Sequence, residues 1–164
     1  MAGRLLVALA GCAVLVTGAS ASPPLRLTET GVGQLQLGRP LASVGSRWIG
    51  PTGPGCELAA PTPVVARLKT PLGGSAAFSG AAPHRVVALW VTRGAATDRG
   101  IAIGANAAAV RRAYPGAVAQ DSEQPLRYHA LTVRRNGKDR IWFMLDRRNG
   151  RVTAFALPAP QFCE

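Results

Sequence analysis

Acid–base chemistry has little to work with in this chain. Histidine occurs only at His84 and His129, and eight carboxylates stand against 19 Lys and Arg, a formal net charge of +11. The acids are scattered: Glu29, Glu57, Asp98, Asp121, Glu123, Asp139, Asp146 and Glu164. Asp121 and Glu123 are close, but in a stretch that reads as a polar loop beside Gln124-Pro125, where solvation explains them. A general acid and base need a sheltered, mutually placed pair. His84 follows Pro83 in a loop, and His129 sits in an apolar strand, the setting of a satisfied structural histidine. No G-x-S-x-G, H-E-x-x-H or G-x-x-x-x-G-K is present. Gly31-Val32-Gly33 lacks the third glycine of a dinucleotide loop and precedes its strand instead of following one. The expectation is a protein that is not an enzyme and carries no cofactor and no metal.

Other scarcities narrow the partners. Lysine occurs only at Lys69 and Lys138, so the cationic excess is arginine. Such charge favours anionic partners or surfaces. Aromatic residues make up 5% of the chain. Single-strand nucleic-acid binding interleaves stacking rings with its cations, so nucleic acid is not the expected partner. Cysteine occurs three times, at Cys12, Cys56 and Cys163. One long apolar run exists, Leu5 to Val16, and it is too short to span a bilayer, which takes about 20 residues.

That run has a setting. Arg4 precedes it, and the small residues Thr17-Gly18-Ala19-Ser20-Ala21-Ser22 follow, ending in an A-x-A site. This is the layout of a secretory signal peptide over residues 1–21. Leu9-Ala10-Gly11-Cys12 also looks like a lipobox, which makes lipidation at Cys12 the alternative. Little sequence precedes Cys12 and the chain stays apolar beyond it, so cleavage after Ala21 is preferred. The protein is then secreted or extracytoplasmic, with a membrane-anchored lipoprotein as the alternative, and the mature chain has no transmembrane segment. Cys56 and Cys163 remain, an even number in an exported chain, which predicts a disulfide between them.

A repeat runs through the rest at an offset of 66 residues (104 less 38). Leu35-Gln36-Leu37-Gly38 aligns with Ile101-Ala102-Ile103-Gly104, Val44 with Val110, Trp48 with Tyr114, and Gly50 with Gly116. In the same register, Arg85-Val86-Val87-Ala88-Leu89 aligns with Arg151-Val152-Thr153-Ala154-Phe155. Each copy opens with a short extended piece ended by glycine. A helix is predicted next, because Leu41, Val44 and Trp48, and likewise Ala107, Val110 and Tyr114, fall at i, i+3, i+7. Asn106 is a good N-cap; Pro40, in the equivalent place, suits a helix start but has no capping side chain. Trp48 and Tyr114 are expected in the core.

The remainder of each copy reads as β. In the second copy, strands Tyr128 to Val133, Arg140 to Leu145 and Val152 to Leu157 are joined by turns centred on Asn136-Gly137 and Asn149-Gly150, a strong hairpin signal. In the first copy only Ala76 to Phe78 and Arg85 to Val91 read as strands; Pro51 to Pro63 and Pro71 to Pro83 read as loops. On the middle strand of the second copy, Ile141, Phe143 and Leu145 share one face and Arg140, Trp142 and Met144 the other. One face covers the helix. The other packs on the first copy or binds a partner, which makes Arg140 and Trp142 the binding candidates. The arginine pairs Arg134-Arg135 and Arg147-Arg148 lie at opposite ends of a strand, about 35 Å apart along the chain at ~3.3 Å per residue, and cannot form one small site.

The duplicated L-x-L-G and I-x-I-G pieces, each with a short helix and a sheet, resemble the secreted β-lactamase inhibitory proteins. They are also similar to the small outer-membrane assembly lipoproteins, which hold one such unit. The resemblance covers most of the mature chain, but the motif is short and no inhibitory contact residue carries over. It implies helices on one face of antiparallel sheet and a binding role without catalysis. The expected fold class is therefore α+β, two tandem helix-plus-antiparallel-sheet repeats over 22–92 and 93–164. The expected function is an exported binding or inhibitor-like module that recognises another macromolecule, with a protein as the expected partner, through a sheet face and its loops. The alternative is a structural component held at an anionic envelope surface by charge or lipid.

Overall fold

The computed structural model describes residues 23–55, 61–122 and 128–160. The signal segment, Cys12, Cys56, Cys163 and Glu123 lie outside the described residues. Within them the chain forms β1 (Leu25–Thr28), β2 (Gly31–Val32), β3 (Leu35–Gln36), β4 (Ile49–Pro54), β5 (Val64–Leu68), β6 (Gly73–Phe78), β7 (Val86–Arg93), β8 (Ala95–Thr97), α1 (Ala107–Ala113), β9 (Val118–Ser122), β10 (Tyr128–Arg135), β11 (Lys138–Leu145) and β12 (Val152–Leu157). A 3₁₀ turn spans Leu41–Ser43.

The protein is mostly β, and this corrects the α+β expectation of two helix-plus-sheet repeats. One helix of 7 residues is present among the described residues. The two equivalent segments part company for local reasons. In the second, Asn106 Oδ1 accepts from the Ala109 N–H at 2.8 Å, and the alanine-rich stretch behind it propagates the helix. In the first, Pro40 makes no side-chain cap. Ser43 instead donates its hydroxyl to the Pro40 carbonyl at 2.8 Å, and Gly45 follows two residues on. Both oppose helix propagation. The apolar stripe survives without the helix: Val44 and Trp48 are buried alongside Val110 and Tyr114.

Eight strands form one sheet in the order β4-β5-β6-β7-β12-β11-β10-β9. Every neighbouring pair is antiparallel. Its central seam is β7 against β12, where Val91 faces Phe155 and Trp90 faces Ala156. A smaller sheet has the order β3-β2-β1-β8, with β1 and β8 parallel. The small sheet, the 3₁₀ turn and α1 share one core with a single face of the large sheet: Leu27, Val32, Leu35, Val44, Trp48, Val110 and Tyr114 join Phe78, Leu89, Phe143 and Phe155. Phe143 sits at its middle, its ring centroid 5.3 Å from that of Tyr114 and 5.7 Å from that of Phe155.

Three further expectations change. The Pro51 to Pro63 stretch holds the last four residues of β4 as well as the connection to β5, rather than loop alone. β4 is an edge strand, the place where Pro51 and Pro54 cost the ladder nothing. Asp121 lies on the opposite edge strand, β9, and not in a loop. Asn136-Gly137 forms the expected two-residue turn with φ of 51° and 71°, but Asn149-Gly150 does not repeat it. There only Gly150 has positive φ, and Asp146 Oδ1 accepts from the N–H groups of Arg148 and Asn149 at 2.7 and 3.2 Å to close a longer turn.

A candidate binding face

The large sheet has a second face, and cross-strand partners place its side chains. A row crosses seven strands: Arg67, Ser75, Trp90, Ala156, Trp142, Thr132 and Val118, each opposite the next. The row carries one cation, Arg67, and no acid. A parallel row runs through Ala154, Met144, Ala130 and Gln120. Ala130, Trp142, Met144, Ala154 and Ala156 form a separate apolar cluster, with Trp90, Tyr128 and Ala159 packed against it. Every member comes from β7, β10, β11 and β12 or from Ala159 just beyond β12. Among the described residues, the helix, the 3₁₀ turn and the small sheet all belong to the other core.

Of the two binding candidates, Trp142 sits on this face and Arg140 stands two residues before it on β11, in a different setting. Trp142 is 7% exposed. Alanines at 130, 154 and 156 leave room for its ring, and Tyr128 meets it edge-on at 5.9 Å between centroids. It is therefore buried, a support of this face and not its contact surface. Its Nε1, like Oγ1 of Thr132 directly opposite, is buried without a hydrogen-bond partner among the described residues. Arg140 is half-buried, and its Nε also lacks a partner among the described residues. It occupies a β-bulge, since Val133 pairs with Ile141 while Arg134 pairs with Asp139. Trp90, half-buried on the same row, and exposed Arg67 and Val118 were not singled out from sequence. Trp90 alternates with Leu89 and Val91 in the period of a strand, which was the available signal; Arg67 lies in a strand that its proline-rich flanks hid.

Among the described residues, the remaining polar groups fall into separate small clusters. His129 Nδ1 pairs with Asp121 Oδ1 across β10 and β9 on the exposed edge. Ser122 is next to Asp121 on the strand, so its side chain points to the opposite face and pairs in register with Tyr128. A second polar pocket, about 230 Å³, has Glu29, Asp98, Arg99, Tyr114 and Arg135 in its wall. Its charges are already spent on one another: Arg135 meets Glu29 at 3.1 Å, Tyr114 donates to Asp98 at 3.0 Å, and Arg99 lies 4.7 Å over the Tyr114 ring. Burial, foremost, and the Asp98 carboxylate hold the Tyr114 phenol above its ordinary pKa of 10.0. His84 packs Nδ1 on the Ser79 carbonyl at 2.8 Å. Arg134 and Arg135 stand at the far end of β10 from the wall that Arg147 shares with His129.

Among the described residues, no three His, Cys, Asp or Glu side chains are grouped to hold a metal ion, and no helix is long and apolar enough to cross a membrane. No family model matches the chain, and no curated protein or solved structure matches it either.

Proposed function

We propose that this is an exported binding protein that recognises another macromolecule through the second face of its eight-stranded sheet, without turnover. One observation carries the reading: an aromatic cluster lies on a sheet face to which, among the described residues, no other layer of the fold contributes. Trp, Tyr, Met and Arg are the residues that interfaces favour. Here Trp90, Tyr128 and Arg67 are the reachable members, held in place by buried Trp142 and Met144. The likeness to secreted β-lactamase inhibitory proteins points the same way; no particular target follows from it. The signal-peptide layout supports export, and pairing of Cys56 with Cys163 belongs to the same reading.

The net charge of +11 supports the second reading, a component held at an anionic envelope surface. Salt separates the two. Charges on an exposed surface are screened beyond ~10 Å at 0.1 M, so an electrostatic envelope role predicts release from anionic vesicles or wall polymer as salt rises. A binding face built on Trp90 and Tyr128 predicts capture of one partner that survives 0.5 M salt, roughly three times the ionic strength at which the Debye length is 8 Å. N-terminal mass spectrometry on exported material completes the test: a chain starting at Ser22 supports the binding module, and a lipidated Cys12 supports the envelope component.

A further inference from the structure

We infer that the hairpin end of the large sheet holds an anion subsite that takes a carboxylate borne on an apolar body. A cleft of about 570 Å³ opens there between the β10–β11 hairpin, Leu37 and the segment after β12. Its walls include Leu37, Gly137, Pro158 and Ala159, and its charged groups are Arg134, Lys138, Asp139 and Arg140. Three cations and one acid leave a net charge of +2. Arg134 is already committed, donating from Nε to Asp139 Oδ1 at 2.7 Å. Among the described residues Lys138 and Arg140 have no acidic partner within reach.

Arg140 is the centre of the argument. The bulge at Val133/Arg134 adds it as an extra residue on β11, and among the described residues its buried Nε has no acceptor. A partly desolvated cation without a counter-charge is costly. An anion in the cleft supplies the missing counter-charge to the guanidinium. Arg and Lys only donate, so the ligand group must accept, and the planar guanidinium fork matches a carboxylate. The apolar walls hold what the carboxylate is attached to. The subsite goes beyond the binding-face reading: small-ion binding is measured on the isolated protein, and neither outcome decides whether a macromolecule is captured.

The test is an NMR titration of the full-length exported protein with benzoate, acetate, inorganic phosphate and sodium chloride at matched ionic strength. Benzoate should produce saturable shifts at Gly137, Lys138, Arg140 and Ala159, raise the melting temperature, and bind more tightly than acetate. Arg140→Gln should weaken it at least about tenfold, the size of one charge-assisted hydrogen bond, while Arg111→Gln, at an exposed position on α1, changes nothing. Lys138→Gln, at an exposed position, gives the same reading with a smaller loss if Arg140→Gln does not fold. Equal shifts with chloride, shifts spread over all exposed arginines, or unchanged affinity in both variants would overturn the subsite. Phosphate binding with benzoate no better than acetate would overturn the apolar body.

Discussion

Arg85 and Arg151 hold the same bond 66 residues apart (151 less 85). Each donates from Nη1, at 2.8 Å, to the carbonyl of a glycine 47 residues earlier, Gly38 for one and Gly104 for the other. Around each, the backbone repeats the pattern. Gly38 N–H donates to the Val86 carbonyl at 2.7 Å and Gly104 N–H to the Val152 carbonyl at 2.8 Å. Val86 and Val152 return the bond, to Arg39 and Ala105, at 2.9 and 2.8 Å. Both glycines have positive φ, 82° and 90°, and no atom lies within 4 Å of where a Cβ would stand.

That geometry separates two kinds of cost. Gly38→Ala and Gly104→Ala meet no clash, so each should lose only the backbone term, about 1–2 kcal/mol. Arg85→Ala and Arg151→Ala should each lose about 0.5–1.5 kcal/mol, since the bonds are exposed. Urea unfolding of the four variants checks both values. A cost confined to one half of the chain would show that the two arrangements are not energetically equivalent.

Trp142 is a support, so its loss should show in stability. Trp142→Ala should cost ~3–5 kcal/mol, the range for a buried large aromatic. Trp142→Phe should cost clearly less. It keeps most of the ring volume and no longer buries an N–H without an acceptor. Thermal and urea melts of the pair decide this. Equal losses would mean that the indole N–H finds a partner in solution.

Tyr114 ties stability to alkaline pH. Its pKa is raised in the folded state, chiefly by burial. Folding therefore favours the neutral phenol, and that contribution is fully present below the unfolded value of about 10. It falls away as pH rises from there through the folded pKa. Stability should decline over that window, and Tyr114→Phe should flatten the decline while weakening the fold slightly at neutral pH through loss of the bond to Asp98. Urea midpoints between pH 8 and pH 11.5, roughly bracketing the tyrosine range, measure it.

How much of this was legible depended on which physics carried each element. The β10–β11–β12 meander was readable because period-two apolar runs and Asn136-Gly137 agree. So was the division of β11, with Ile141, Phe143 and Leu145 facing the main core and Trp142 and Met144 the other cluster. The first-copy helix was misread because its apolar spacing is helical while its caps and interior are not: Pro40, Ser43 and Gly45 decide against it locally, and burial of Val44 and Trp48 does not require a helix. β1 and β4 were invisible for another reason. β1 pairs in parallel with β8, a partner about 70 residues away in the chain, and β4 survives its prolines only because it is an edge. Of the candidate residues, alternation on one strand singles out Trp142 and Arg140. Trp90 and Arg67 join them only through the register of the whole sheet, and the bulge that sets Arg140 in its cleft has no sequence signature of its own.

The central claim is that the second face of the large sheet recognises a macromolecule, and the most direct measurement compares face variants in partner capture. Wild type, Trp90→Ala and Arg67→Glu, each verified by melting to be folded, are immobilised and exposed to concentrated culture fluid of the producing cells at low and high salt. The account predicts one saturable partner retained by wild type at both salts, weakened at least tenfold by Trp90→Ala (about 1.4 kcal/mol), and also reduced by Arg67→Glu. Retention that both variants leave unchanged, or a catalytic turnover that stays with the protein through purification, would contradict it.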